Sequence, residues 1–205
     1  AMDKWLEQTH SAVRYVRYAD DAILHCKSIA QAKYVKENLQ KRMQECGLEL
    51  HPEKTKIVYC KDYRRQEKYP VVKFDFLGYS FQPRSTTKGG KGNLFLGYDC
   101  AISISSKKRI TEKLREMDIP HLTHKSVVGV AQYLDPYIRG WIQYFGKFRL
   151  SKMNPIFQLI RRRLVQWARI RYKRYKTSVV RAYNWLKRMR IQFPYLFYHW
   201  KLGYY

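Results

Sequence analysis

Two adjacent carboxylates, Asp20 and Asp21, interrupt the run VRYVRYADDAILHC at residues 13–26. Neighbouring acids repel one another. In a basic chain, the structural use of such a pair is a salt bridge to a nearby arginine. The chemical use is different: held on a rigid turn, the two side chains present a cluster of hard oxygens. Mg²⁺ takes ligands of this kind, with one or two carboxylates completed by substrate phosphates. Such a site serves phosphoryl transfer, in which two metals clamp the attacking and leaving oxygens.

The elements around the acids suit that use. β-branched and aromatic residues lie on both sides of Ala19, Asp20 and Asp21, which predicts a strand, a tight polar turn and a second strand. The acids then crown a hairpin. From Ser28, an N-cap residue, apolar positions Ile29, Ala32, Val35, Leu39 and Met43 recur at spacings of three and four until Gly47, predicting one helix of about five turns. A turn at Pro52 leads into an expected strand near residues 56–60. A further strand is expected over 73–81, interrupted at Gly78 by a bend or a close approach. Residues 85–93, STTKGGKGN, read as a glycine-rich turn. LFLGY and AISIS read as strands on either side of Asp99 and Cys100.

Beyond Ser105 the pattern becomes helical, over roughly 106–117, 125–147, 154–175 and 177–191, with breaks near Pro120, Pro155, Thr177 and Pro194. Strands first and helices second define an α+β segment joined to an all-α segment, with the boundary near residue 105. In the third helical stretch Leu164, Val165, Ala168, Tyr172 and Tyr175 share one arc and read as core, while Trp167 and Ile170 fall off it.

Charge separates the two halves more sharply than pattern does. The 205 residues carry 41 Lys and Arg against 16 Asp and Glu, a formal charge of +25. Residues 1–135 hold 24 basic and all 16 acidic side chains, whereas residues 136–205 hold 17 basic and no acidic ones. A solvated face mixes signs, so a segment without carboxylates has to be neutralised by an external polyanion. Trp141, Trp167, Trp185 and Trp200 lie in the same segment, and aromatics among cations suit stacking on unpaired bases beside phosphate contacts. Nucleic acid is the expected partner.

The four cysteines, Cys26, Cys46, Cys60 and Cys100, form no CxxC pair and have no histidine pair at zinc-ligand spacing. Neither a zinc site nor a disulfide scaffold is expected, and a reduced, cytoplasmic compartment fits. No run of 18 apolar residues occurs, so no membrane span is expected.

The string Tyr18, Ala19, Asp20, Asp21, preceded by Val16 and Arg17, resembles the YADD box of reverse transcriptases, and specifically that of group II intron-encoded proteins. GLELHPEKTK, from Gly47 to Lys56, is similar to the next block of that family, and Phe76, Leu77, Gly78 and Tyr79 resemble the block that closes the palm. Leu134, Pro136, Ile138, Arg139, Gly140, Trp141 and Tyr144 resemble the RGW signature of the maturase domain, also called domain X or the thumb. Gln166, Trp167 and Ala168 resemble that domain's later segment. YADD alone is weakly specific; four blocks in order over about residues 13–170 are strongly specific.

The resemblance implies part of a polymerase palm over residues 1–104, antiparallel strands with a packed helix, followed by an RNA-binding helical thumb over 105–205. It assigns Asp20 to direct Mg²⁺ binding, Asp21 to a supporting role, and Lys54 and Lys56 to the departing pyrophosphate. Arg139, Arg161, Arg162, Arg163, Arg169, Arg171, Lys173 and Arg174 are the expected RNA contacts. Implied partners are intron RNA, a template–primer duplex and, in the full-length enzyme, deoxynucleoside triphosphates. In such polymerases a further metal-binding aspartate comes from an earlier palm strand, and fingers grip the template. The only acids before the hairpin are Asp3 and Glu7, in what resembles the family's helix leading into it. The expectation is therefore the C-terminal part of an RNA-directed DNA polymerase, inactive by itself. The alternative is a maturase module that assists splicing without copying. No endonuclease segment is expected.

Overall fold

The computed structural model describes residues 2–65, 67–87, 92 and 94–205. It is a mixed α/β chain with two small antiparallel sheets, and helices predominate in its second half. The chain divides into two compact units, Ala1–Phe76 with Pro83–Gly97, and Leu77–Gln82 with Tyr98–Tyr205.

In the first unit, helix α1 (Met2–Thr9) leads into strands β1 (Arg14–Tyr18) and β2 (Asp21–His25). The strands pair antiparallel with Tyr18 opposite Asp21, so only Ala19 and Asp20 form the loop. Ala19 has φ +53°, the positive value that a two-residue hairpin requires at its first central position. Helix α2 (Ile29–Glu45) starts at Ser28, whose hydroxyl accepts from Gln31 N, and stops before Gly47 at φ +68°. Leu6, Val13, Val35 and Leu39 are the buried core of this unit. The His10 ring meets Trp5 and Tyr34 edge-on at 5.2 and 5.9 Å, linking α1 to α2.

Two strand expectations change. Residues 56–60 form no strand: the turn is present, with Thr55 N donating to His51 O, but Tyr59 N bonding Val71 O does not extend into a ladder. The expected interrupted strand at 73–81 is instead a hairpin. Strand β3 (Phe74–Phe76) ends at Leu77 and Gly78, both at positive φ, and strand β4 (Tyr79–Thr87) returns. The two strands expected around Asp99 are one, β5 (Leu94–Ile102), and the sheet order is β3-β4-β5. The glycine-rich turn expected at 85–93 lies largely outside the described residues.

In the second unit, helices α3 (Ile104–Glu116), α4 (Val127–Arg149), α5 (Asn154–Arg171), α6 (Val179–Gln192) and α7 (Tyr198–Lys201) enclose one apolar core. Ser103, Ser126 and Ser178 cap α3, α4 and α6 through their hydroxyls. Leu134, Ile138, Phe157, Ile160, Leu164, Trp167 and Leu186 are fully enclosed. Trp167, off the predicted arc, is core after all: its Nε1 donates to Leu122 O at 3.0 Å. Ile170 is exposed.

The helix expected to run to residue 175 ends at Arg171. Tyr172 adopts extended φ/ψ, and a single 3₁₀ turn, Lys173–Tyr175, brings Tyr172 and Tyr175 against Trp185 at 5.4 and 5.8 Å. Burying two aromatic rings outweighs continuing the helix ladder.

Candidate metal-binding hairpin and nucleic-acid interface

The hairpin tip is better suited to a cation than its sequence alone reveals. Arg17 lies three residues before Asp20 and is the obvious neutralising partner. It is engaged elsewhere: Nε and Nη2 donate to the two carboxylate oxygens of Asp3 at 2.8 and 2.6 Å, and Nη1 donates to Ala19 O at 2.7 Å. The fork fixes the turn from both sides, and the guanidinium holds the Asp3 carboxyl below its ordinary pKa. Tyr15 donates to Glu7 Oε1 at 3.2 Å, so both acids of α1 are tied to β1.

Asp20 and Asp21 are exposed, and among the described residues neither carboxylate makes a hydrogen bond or ion pair. Two unneutralised carboxylates on a fixed two-residue turn are the hard-oxygen donors that Mg²⁺ accepts, so the residues present fit that ion as part of a site. Among the described residues, no group of three or more His, Cys, Asp or Glu side chains converges to hold a metal. Lys54 and Lys56 are exposed next to the Pro52 turn, with no contact to the acids among the described residues.

In the second unit, Gly78 O accepts from Ser103 N at 2.9 Å and Ser106 Oγ at 3.0 Å, and Leu77 O accepts from Tyr144 Oη at 2.9 Å. Tyr79 donates to Tyr144 O, and burial raises its pKa. A Cβ at Gly78 would stand 2.8 Å from Ser106 Oγ and 3.1 Å from the Phe145 ring, which explains the glycine by close approach as well as by its φ of +79°.

The expected RNA-contacting cations fall into two groups. Several are held within the fold. Arg139 donates from Nε to Asp135 Oδ2 at 2.6 Å, and its guanidinium lies 4.8 Å from the Tyr198 ring. Asp135 is buried, and its Oδ1 accepts from Tyr198 N at 2.6 Å. Arg139 thus helps clamp α7 to α4. Arg161 lies against the Tyr183 and Tyr205 rings, and burial pushes the Tyr205 phenol up to about 12. Arg169 donates twice to Lys176 O, closing the end of α5, and Arg174 covers the Tyr175 ring at 4.7 Å. Arg162, Arg171 and Lys173 are exposed, and Arg163 is half-buried.

Most carboxylates of this unit are internally matched: Asp99 with Arg149, Glu116 with Lys113, Asp118 with His121 and Asp135 with Arg139. The surplus positive charge is therefore left to face outward. The sequence reading overlooked Lys107 and Arg115, which border a cleft together with Arg162 and Arg163. Their i, i+8 spacing on α3 was the available signal, masked by the mixed charge of the residues around them.

The family model "Reverse transcriptase (RNA-dependent DNA polymerase)" matches residues 1–81, which include the hairpin with its paired acids. A second model, "Group II intron, maturase-specific domain", matches residues 107–188. With both present in this order, the chain belongs to the group II intron reverse transcriptase/maturase family. No curated protein matches the chain. No helix among the described residues is long and apolar enough to cross a membrane.

Proposed function

We propose that this chain is the C-terminal part of a group II intron reverse transcriptase, with residues 1–104 contributing to the palm and 105–205 forming the RNA-binding thumb or maturase domain. The observation carrying the palm assignment is the diversion of Arg17 to Asp3 and Ala19 O, which leaves Asp20 and Asp21 exposed and unneutralised at the hairpin tip. Asp20 would hold Mg²⁺ directly and Asp21 would support it, with Lys54 available to the departing pyrophosphate. The metal, when bound, supplies Lewis-acid stabilisation of the oxygens that gain charge during nucleotide transfer. The protein's own contribution is positional: the Arg17 fork holds the turn, and the turn aims the carboxylates.

Val16 and Tyr18 are 51% and 64% exposed, which supports a hairpin that meets further palm strands in the parent enzyme. The parent's substrates would be deoxynucleoside triphosphates and a template–primer duplex, and intron RNA would be the ligand of the helical unit. Four free thiols agree with a reduced, cytoplasmic setting. The match to the maturase-specific domain favours a second reading in the same family, an RNA-binding module that assists splicing without copying.

Primer extension on an RNA template with Mg²⁺ tests the first reading. The 205-residue chain by itself gives no product, because two-metal chemistry needs all its ligands at fixed geometry. A longer chain that adds the remaining palm strands and fingers gives product that Asp20→Asn abolishes. Extension by the short chain alone, or full activity of the Asp20→Asn enzyme, would overturn the assignment.

A further inference from the structure

Helices α3 and α5 border a cleft of about 520 Å³ in the second unit. One wall carries Lys107, Thr111 and Arg115, spaced four residues apart and so on one face of α3. The other carries Arg162, Arg163 and Gln166 of α5. Among the described residues the lining holds four cations and no carboxylate. The first turn of α5 lines the same cleft at Pro155 and Ile156, and no side chain caps that helix terminus.

One donor of a lining residue is unsatisfied beneath the cleft surface. Arg163 Nε is buried and has no hydrogen-bond partner. A buried donor without an acceptor is destabilising, and an arginine fork is shaped to receive two oxygens of a carboxylate or phosphate. Thr111 and Gln166 add neutral donors. The volume falls within the roughly 300–1,000 Å³ of small-ligand sites, enough for a phosphate group with an attached sugar and too small for a duplex to enter. The other strongly basic positions of α5 and its 3₁₀ turn lack this enclosure: Arg171 and Lys173 project from the surface, while Arg169 is taken by Lys176 O.

We propose that the α3–α5 cleft is a phosphate-binding site centred on Arg163, and that its occupant is a single phosphodiester of the RNA bound by the helical unit. The occupant, though not the cleft's preference for phosphate, rests on the RNA-binding reading. In this site Arg163 and Arg162 grip the phosphate from α5, Lys107 and Arg115 neutralise it from α3, and Gln166 is placed to bond the adjoining sugar. The cleft thereby gives the RNA a fixed register on a surface whose remaining cations act only as diffuse charge.

The test follows the side-chain Nε–H resonance of Arg163 by ¹⁵N NMR in the whole 205-residue chain, titrated with inorganic phosphate and separately with a structured RNA. Affinities of Arg163→Lys, Arg162→Gln and the distant Arg181→Gln are measured alongside. Both titrants are expected to shift the resonance. Arg163→Lys keeps the charge but removes Nε, and is expected to weaken RNA binding about tenfold, one well-made charge-assisted contact. Arg162→Gln is expected to behave similarly, and Arg181→Gln to change affinity less than threefold. Thermal melts of each variant separate lost contact from lost fold, and Arg162→Gln carries the test should Arg163→Lys unfold. RNA binding with an unmoved Nε resonance, or equal losses from all three variants, overturns the cleft while leaving the RNA reading intact. A phosphate-dependent shift in a chain that binds no RNA overturns the phosphodiester as occupant.

Discussion

Arg139 offers the clearest separation between a residue that holds the fold and one that touches RNA. Its Nε reaches Asp135 Oδ2 at 2.6 Å, and the other oxygen of that carboxylate takes the Tyr198 amide at 2.6 Å. Asp135 is 8% exposed, so removing its partners leaves a buried charge short of donors. A hydrogen bond to a charged group contributes roughly 1.5–3 kcal/mol. The Arg139 side chain is 52% exposed, which places its share at the low end, about 1–2 kcal/mol. Asp135→Ala loses both contacts and strands the Tyr198 amide, for about 2–4 kcal/mol. In a domain of this size that lowers the melting temperature by on the order of 10 °C. Urea denaturation read by tryptophan fluorescence measures it, since Trp141, Trp167, Trp185 and Trp200 all lie in the helical unit. In the Asp135→Ala background, Arg139→Ala should cost at least about 0.5 kcal/mol less than it does alone. If Arg139→Ala leaves stability within about 0.3 kcal/mol of the parent, the clamp is wrong and Arg139 is only a surface cation.

Three further outcomes are expected. His199 is fully buried against Phe157 and Phe197, and burial lowers its pKa to about 3, from an ordinary 6.5. The unfolded chain binds the proton more readily, so stability is complete above pH 6.5 and falls on acidification toward pH 3, by up to about 1.4 kcal/mol per pH unit; His199→Phe should flatten that slope in denaturation curves. Asp3, held below its ordinary value of 3.8 by Arg17, keeps its ion pair as pH falls through that value and loses it only on further acidification, which carboxyl NMR titration reads directly. Gly78→Ala should destabilise by about 1–3 kcal/mol, since the added Cβ meets both Ser106 and Phe145 and the backbone has positive φ, and a melt decides it.

The local code was legible where short-range physics decides. β-Branched and aromatic residues on both sides of Ala19, Asp20 and Asp21 marked the hairpin, and Ser28 and Gly47 bounded α2, because turn chemistry and capping act over a few residues. Long-range physics concealed the rest. The LG pair at residues 77–78 carried a hairpin signal that reading 73–81 as one strand missed, and an extended segment at 56–60 becomes a strand only if a partner supplies a ladder. Periodicity ran through Tyr172 because the arc continues, whereas the chain turns there to meet Trp185, which lies thirteen residues further along. In the site, types and spacing pointed to Asp20 and Asp21. That Arg17 turns to Asp3 could not be read without the fold, and neither could the sorting of the arginines into those that clamp helices and those that face outward. The cleft cations of α3 were hidden for a similar reason, since charge counted along the chain says nothing of which helices lie side by side.

In the proposed reading the helical unit meets the RNA backbone through several of its outward-facing cations. The most direct measurement is the affinity of the 205-residue chain for a structured RNA as a function of salt. With several phosphates neutralised, the logarithm of the association constant should fall linearly with the logarithm of salt concentration, at nearly one unit of slope per contact and about four or more in all. An affinity that does not change with salt, or a slope near one, would contradict it.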